Sequence, residues 1–201
     1  HAVQERGYTV AHIKTDSIKI PDADQEIIDF VFEFGEKYGY EFEHEATYPE
    51  LVLMNDAVYI AKYDEKTAEK KGKPWEAVGA MFQHPYIYKT LLSGEDIEFK
   101  DLLETRNVTN GAIYIEDPVS EERRFVGKIG QFVPVTSDAG GGTLLRVAEV
   151  NGEMKDYAVS GTKGHLWIEA DKLKAGGSED KIDMSYFEEQ ADKARKALAA
   201  V

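Results

Sequence analysis

The 201-residue sequence contains no cysteine. That excludes a disulfide framework, a zinc ribbon and a thiol nucleophile, and it suits a reducing compartment. No apolar run approaches the ~20 residues of a membrane span. The first ten residues, HAVQERGYTV, lack the basic start and apolar stretch of a signal peptide. Internal repeats and low-complexity tracts are missing as well. Positive charge is scarce: 24 basic side chains stand against 38 acidic ones, for a net charge of -14. As a bulk number this is the opposite of a nucleic-acid-binding footprint.

What is present is enough for a packed core. Hydrophobic residues make up 42% of the chain, and at this length roughly 70% of the unfolded surface can be buried. The charge is uneven: residues 1–60 carry 13 acids and four bases, net -9, which leaves -5 for the other 141 residues. An acidic front with a more balanced rear suits one wall of a larger charged cleft. The sequence starts at His1 rather than Met, and the expectation is a piece of a longer chain.

Local patterns predict a mixed α+β fold. Tyr8 to Lys14 and Ser17 to Ile20 read as two strands around a polar interruption at Thr15-Asp16-Ser17, which is a hairpin. Ile27, Phe30, Val31, Phe34 and Tyr38 fall at helical spacing, with Asp22 or Asp24 as the cap and Gly39 near the end. Glu41 to Thr47 alternates like an exposed strand. Leu51 to Met54 and Ala57 to Tyr63 read as two further strands or one bent strand, Trp75 to Ala80 as another strand, and residues 64–74 as a charged loop or short helix. Two short helices are expected over Pro85 to Leu92 and Ile97 to Glu104. The C-terminal half is β-rich over Ala112 to Ile115, Phe125 to Val135, Thr143 to Val150 and Tyr157 to Ala170, with Asn151-Gly152 as a hairpin turn. A final helix would bury Phe187, Ala191, Ala194 and Leu198, with Ser185 and Glu188 as its capping box. A soft boundary falls around residues 82–110.

The sharpest chemical feature is HIKTDSIKI, residues 12–20. A carboxylate at a hairpin tip is exposed and rigidly held, and it suits a hard cation such as Mg²⁺. The plain alternative is that Thr-Asp-Ser is only a turn, since these residues bond their own backbone there. The other acids and histidines offer less. His12, His44, His84 and His165 form no metal-binding helical pair, and Glu41, Glu43 and Glu45 read as a solvated face. The glycine runs at 140–142 and 161–164 lack Walker spacing and read as hairpin loops.

The stretch His12-Ile13-Lys14-Thr15-Asp16-Ser17 resembles motif C of family B DNA polymerases, Tyr-Gly-Asp-Thr-Asp-Ser on a palm hairpin. The helix that follows, the Glu-rich segment and VLMNDAVYIAKY keep the family order. Tyr59 falls on the tyrosine of the family's Lys-Lys-Arg-Tyr motif. The segments GAMFQHPYIYKTLLSG (79–94), FVGKIGQFVPV (125–135), GGGTLLRV (140–147) and SGTKGHLWIEA (160–170) look like the C-terminal part of polymerases from tailed phages and prophages. The chain departs from the pattern twice. Lys14 stands where the family has its first motif Asp, and Asp56-Ala57-Val58 stands where it has the basic triplet.

The resemblance implies an antiparallel palm-sheet hairpin with a packed helix in residues 1–80, followed by a β-rich and helical thumb-like region in residues 81–201. It implies DNA-directed DNA polymerisation, with Asp16 as a metal-binding catalytic carboxylate and Lys14, Thr15 and Ser17 as its motif neighbours. Tyr59, Lys62, Arg146 and Lys163 become DNA-contact candidates. The cofactor would be Mg²⁺, in a two-metal site completed by residues upstream. The partners would be primer-template DNA, deoxynucleoside triphosphates and the upstream exonuclease, fingers and palm portions of the same polymerase, with no membrane, in the cytoplasm of a bacterial host. This segment alone is expected to be inactive. Two other readings stay open on sequence: a non-enzymatic acidic module for a basic partner, and a split or decayed polymerase subunit.

Overall fold

The structure, a computed structural model, describes residues 1–201 as a mixed α+β fold with several antiparallel sheets. The chain divides into two compact units. One comprises His1–Gln83 with Lys196–Val201, the other His84–Arg195. The division therefore falls after Gln83, within the sequence region 82–110 and three residues past the expected 80/81 boundary. The short helix at the end of the first unit packs on the strand before it, which keeps residues 80–83 with that unit.

In the first unit, β1 (His12–Lys14) and β2 (Ser17–Lys19) pair antiparallel as a two-stranded sheet closed by Thr15-Asp16. Helix α1 (Gln25–Lys37) starts where Asp24 accepts a hydrogen bond from Ile27 N at 3.0 Å. The same carboxylate accepts the Tyr8 hydroxyl at 2.7 Å. The helix closes before Gly39, whose φ of 81° is open to glycine without strain. Ile27 is its anchor in the core, while Phe34 and Tyr38 stay exposed.

Strands β3 (Glu50–Asn55), β4 (Val58–Lys62) and β5 (Trp75–Val78) form a meander in the order β3-β4-β5. Their core is Tyr59, Ile60 and Ala61 on the central strand. Between β4 and β5, α2 (Glu65–Lys71) is capped by Asp64, which accepts from Thr67 N at 2.8 Å, and ends at Gly72. The alternative of a short helix is thus the one realised for residues 64–74. Helix α3 (Ala80–Gln83) follows β5. The expected strand over Glu41 to Thr47 does not form. That segment joins no ladder and is tied instead by the Thr47 carbonyl to Asp64 N and by Glu45 to Lys71. Alternation alone makes no strand when no neighbour offers its backbone.

The second unit opens with α4 (Pro85–Tyr88), which continues into a wide turn over Lys89–Ser93 that ends at Gly94. The helix expected over Ile97 to Glu104 is one short turn, Phe99–Leu102, capped reciprocally by Glu98 and Asp101. It gives way to a strand, β6 (Glu104–Asn107), that local sequence does not reveal.

Two sheets follow. One orders β11-β10-β7-β8 and the other β12-β9-β6, from β7 (Ala112–Glu116), β8 (Arg123–Gly127), β9 (Ile129–Val135), β10 (Thr143–Val150), β11 (Glu153–Ala158) and β12 (Leu166–Glu169). The β-rich run Phe125 to Val135 resolves into two strands in two sheets. Gly127, at φ 132°, permits the change of direction at Lys128. Asn151 and Gly152, at φ 55° and 82°, make the two-residue turn between β10 and β11.

Trp167, Phe132, Val133, Ile113 and Leu144 fill the interior between these strands. Glycines 140–142 carry the chain from sheet to sheet rather than closing a hairpin. Gly142 and Trp167 exchange backbone hydrogen bonds at 2.9 and 2.8 Å, and a side chain on Gly142 would collide with Glu116 and Ile115 of β7. Helices α5 (Ala170–Ala175) and α6 (Met184–Ala199) complete the chain. In α6, Phe187, Ala191 and Ala194 are buried as their spacing requires, and Leu198 is half-buried. The expected cap is displaced by two residues: Asp183 accepts from Ser185 N and Oγ, so Ser185 lies inside the helix.

Candidate functional site

The β1–β2 hairpin places Asp16 at an exposed two-residue turn, beside exposed Thr15 and half-buried Ser17. The register sorts the hairpin's side chains by face. His12, Lys14, Ser17 and Lys19 share one side, and Ile13 and Ile18 the other. The polar side is the one applied to the protein. His12 is buried, donates from Nε2 to the Asp56 carbonyl at 2.9 Å and meets the Tyr59 ring at 5.5 Å. The ammonium groups of Lys19 and Lys14 lie 4.5 and 5.6 Å from the centre of the same ring. The apolar side faces outward, with Ile13 66% exposed.

Tyr59 is therefore a seat for the hairpin. It is 4% exposed, so beneath the hairpin it presents almost no surface for the DNA contact expected from its motif position. Burial, then the Glu76 carboxylate, pushes its hydroxyl up to about 12. Glu76 also accepts the Tyr48 hydroxyl at 2.8 Å and raises Tyr63, so three tyrosines converge on one acceptor. Lys62, at the end of β4, is half-buried and pairs with Glu50 at 3.2 Å.

Asp16 offers a hard oxygen donor at an exposed tip, which fits one ligand of a divalent cation. No group of three or more His, Asp or Glu side chains in the chain could hold a metal ion. Asp16 by itself is one carboxylate and not a complete metal site.

In the second unit, Arg146 lies on β10 with its guanidinium 4.9 Å from the Tyr157 ring centre. Lys163 is exposed in the loop between β11 and β12. That loop is pinned beneath it, with Thr162 Oγ1 donating to the Val159 carbonyl and Trp167 Nε1 donating to the Thr162 carbonyl.

A buried polar cluster escaped sequence reasoning. Glu104, 8% exposed, takes Arg106 at 3.0 Å and the Tyr186 hydroxyl at 3.0 Å, and His84 Nε2 approaches it at 3.2 Å. Burial alone would raise the Glu104 carboxyl. The His84 ring, the Arg106 guanidinium and the Tyr186 hydroxyl outweigh it and hold the group below the usual carboxylate range. Burial and Glu104 together push Tyr186 up to about 12. His165 and Asp183 add an adjoining pair at 3.1 Å, with the His165 ring edge-on to Tyr186. Nothing local marked this site in the sequence, since residues 104–107 read Glu-Thr-Arg-Asn with no apolar alternation to show a strand.

No protein family, curated protein or solved structure matched the chain in comparison. No helix is long and apolar enough to cross a membrane.

Proposed function

We propose that the chain is the catalytic-hairpin and C-terminal portion of a DNA-directed DNA polymerase, with Asp16 as one of two metal-binding carboxylates. The observation that carries this reading is the hairpin itself. It is a two-stranded sheet with a carboxylate at its tip, a polar face seated on Tyr59 and an outward face bearing exposed Ile13. An isolated two-stranded sheet is marginal in water. A hairpin with free edges and an outward isoleucine suits incorporation into a larger sheet, from which the second carboxylate would come.

Asp16 supplies oxygen ligands at the tip, and the short Thr15-Asp16 turn limits where that carboxylate can point. His12 and Tyr59 hold the base of the hairpin, so the carboxylate is positioned before any ligand arrives. Lys14 and Lys19 place positive charge on the inner face and moderate repulsion between Asp16 and an incoming triphosphate. Asp16 would be one ligand of such a cation pair, whose chemistry when bound would be to ease deprotonation of the primer hydroxyl and to stabilise the leaving oxygen. The DNA-contact role proposed for Lys62 requires it to exchange Glu50 for phosphate.

The test is Asp16→Ala in the polypeptide that carries the other carboxylate, read by primer extension and by primer-template binding. Lost extension with retained binding supports the reading. Retained extension overturns it.

A further inference from the structure

Strand β6, continued through Thr109, faces β10, β11 and Ser160 across a cleft of about 470 Å³. No acidic side chain lines it. Arg106 enters from one wall and Arg146 from the other, among the polar side chains of Thr105, Asn107, Thr109 and Ser160. In a chain of net charge -14, this is a locally positive enclosure.

The position of Arg146 breaks the pattern of its strand. Leu144, Arg146 and Ala148 share one face of β10, and both of its apolar neighbours on that face are buried. Opposite Arg146 stand Ile113 on β7, fully buried, and Tyr157 on β11, which is 41% exposed. An apolar side chain is what this inward position asks for. Of the six arginines, four pair with carboxylates and Arg6 donates to the Ala2 carbonyl. Arg146 alone has neither an ion pair nor a hydrogen-bond acceptor. Its Nε is buried without a partner, and so is that of Arg106. Arg146 as a whole is half-buried, but a guanidinium nitrogen turned inward with no acceptor costs a fold free energy.

Arg106, by contrast, is fixed in place. It bonds Glu104 at 3.0 Å and the Tyr186 hydroxyl at 3.2 Å, and it lies 5.8 Å from the Trp167 ring centre. One arginine is thus anchored and half-neutralised, and the other is stacked but unneutralised.

We propose that this cleft binds a phosphate group, with Arg146 as the principal contact and Arg106 as a fixed second charge. A metal ion is excluded by the acid-free lining. A carboxylate has two oxygens, whereas the cleft offers two guanidinium groups, four hydroxyls and an amide, which matches the larger acceptor set of a phosphate. The phosphate belongs either to a small phosphorylated molecule or to a nucleic-acid backbone. The inference rests on the second unit alone and stands or falls independently of Asp16.

The 201-residue chain is titrated with inorganic pyrophosphate, and separately with a labelled single-stranded oligonucleotide, at matched ionic strength with chloride as control. Saturable binding that Arg146→Met weakens about tenfold or more supports the proposal. If pyrophosphate alone suffices, the ligand is a small phosphorylated molecule. If only the oligonucleotide binds, with a salt slope of several phosphates, the ligand is a nucleic-acid backbone. Without ligand, Arg146→Met is expected to leave the urea midpoint unchanged or raise it, because it removes a buried nitrogen that has no acceptor; an arginine with a merely structural role would lower it. The double variant Thr109→Val, Ser160→Ala provides a second reading that keeps both arginines, and it is expected to weaken the same binding. Absence of saturable binding to either probe, or equal affinity in the Arg146→Met and parent chains, overturns the proposal.

Discussion

His12 Nε2 and the Asp56 carbonyl oxygen lie 2.9 Å apart, so the turn between β3 and β4 holds the base of the β1–β2 hairpin from 44 residues away. The hairpin's strands are three residues each, too few to keep their place by ladder bonds alone. The imidazole and the Tyr59 ring beneath it supply the missing constraint.

His12→Ala removes both the hydrogen bond and the ring contact. It is expected to destabilise the chain by about 1–3 kcal/mol in urea denaturation. Amide exchange in the hairpin should accelerate more than exchange in β4. An unchanged hairpin exchange rate would mean that Tyr59 and the lysines hold it unaided.

Asp16→Asn should behave differently. The side chain is exposed and takes part in no recorded hydrogen bond or ion pair, so the urea midpoint should shift by less than about 0.5 kcal/mol. In the polypeptide that completes the metal site, nucleotidyl transfer should fall by roughly 10²–10³-fold or more. Stability and turnover measured on the same preparation separate the two effects.

Glu104 carries an acid sensitivity of known sign. Its carboxyl is held below the usual range in the folded state, so its contribution is fully present above the unfolded value of about 4.3 and is lost as pH falls through the lower folded value. The parent chain should therefore lose stability below about pH 4.5 more steeply than Glu104→Gln does. At neutral pH the variant should be less stable by about 3 kcal/mol, because Arg106 loses its partner. Urea midpoints from pH 7 to pH 3 check both statements.

Gly142→Ala would drive a Cβ into the Glu116 carbonyl oxygen and the Ile115 side chain. Both belong to β7, which has β10 on one side and β8 on the other, so little relief is available. A cost of about 1–3 kcal/mol is expected by thermal or urea unfolding. Gly140→Ala serves as a comparison: no atom lies near its Cβ position, and only its φ of 71° opposes a side chain.

The hairpin, α1 and the Asn151-Gly152 turn were legible because each is specified within a dozen residues. Period-two alternation flanks Thr15-Asp16, helical spacing follows the Asp24 cap, and both turn positions adopt positive φ. The failures share the opposite property. Glu41 to Thr47 alternates correctly, yet a strand also needs a neighbour, and none is set by local sequence. The bend at Gly127 looks like any glycine in a strand until two sheets compete for the flanking residues. Glu104 finds its hydroxyl partner Tyr186 82 residues away, which no window could supply. Arg146 was singled out with Lys163, but the residue that shares its cleft is Arg106. Charge can be read from a sequence, whereas which charges face each other depends on strand order.

The run from Arg123 to Val135 belongs to both sheets of the second unit, with Lys128 as its only residue outside a strand. One covalent ribbon therefore serves as the edge of one sheet and the centre of the other. Melting β9 would release its neighbours β6 and β12 together and pull on β8, so the two sheets cannot open as separate foldons. Their slowest amides should exchange through a single shared opening, with one free energy and one denaturant dependence across Phe132, Leu144 and Trp167.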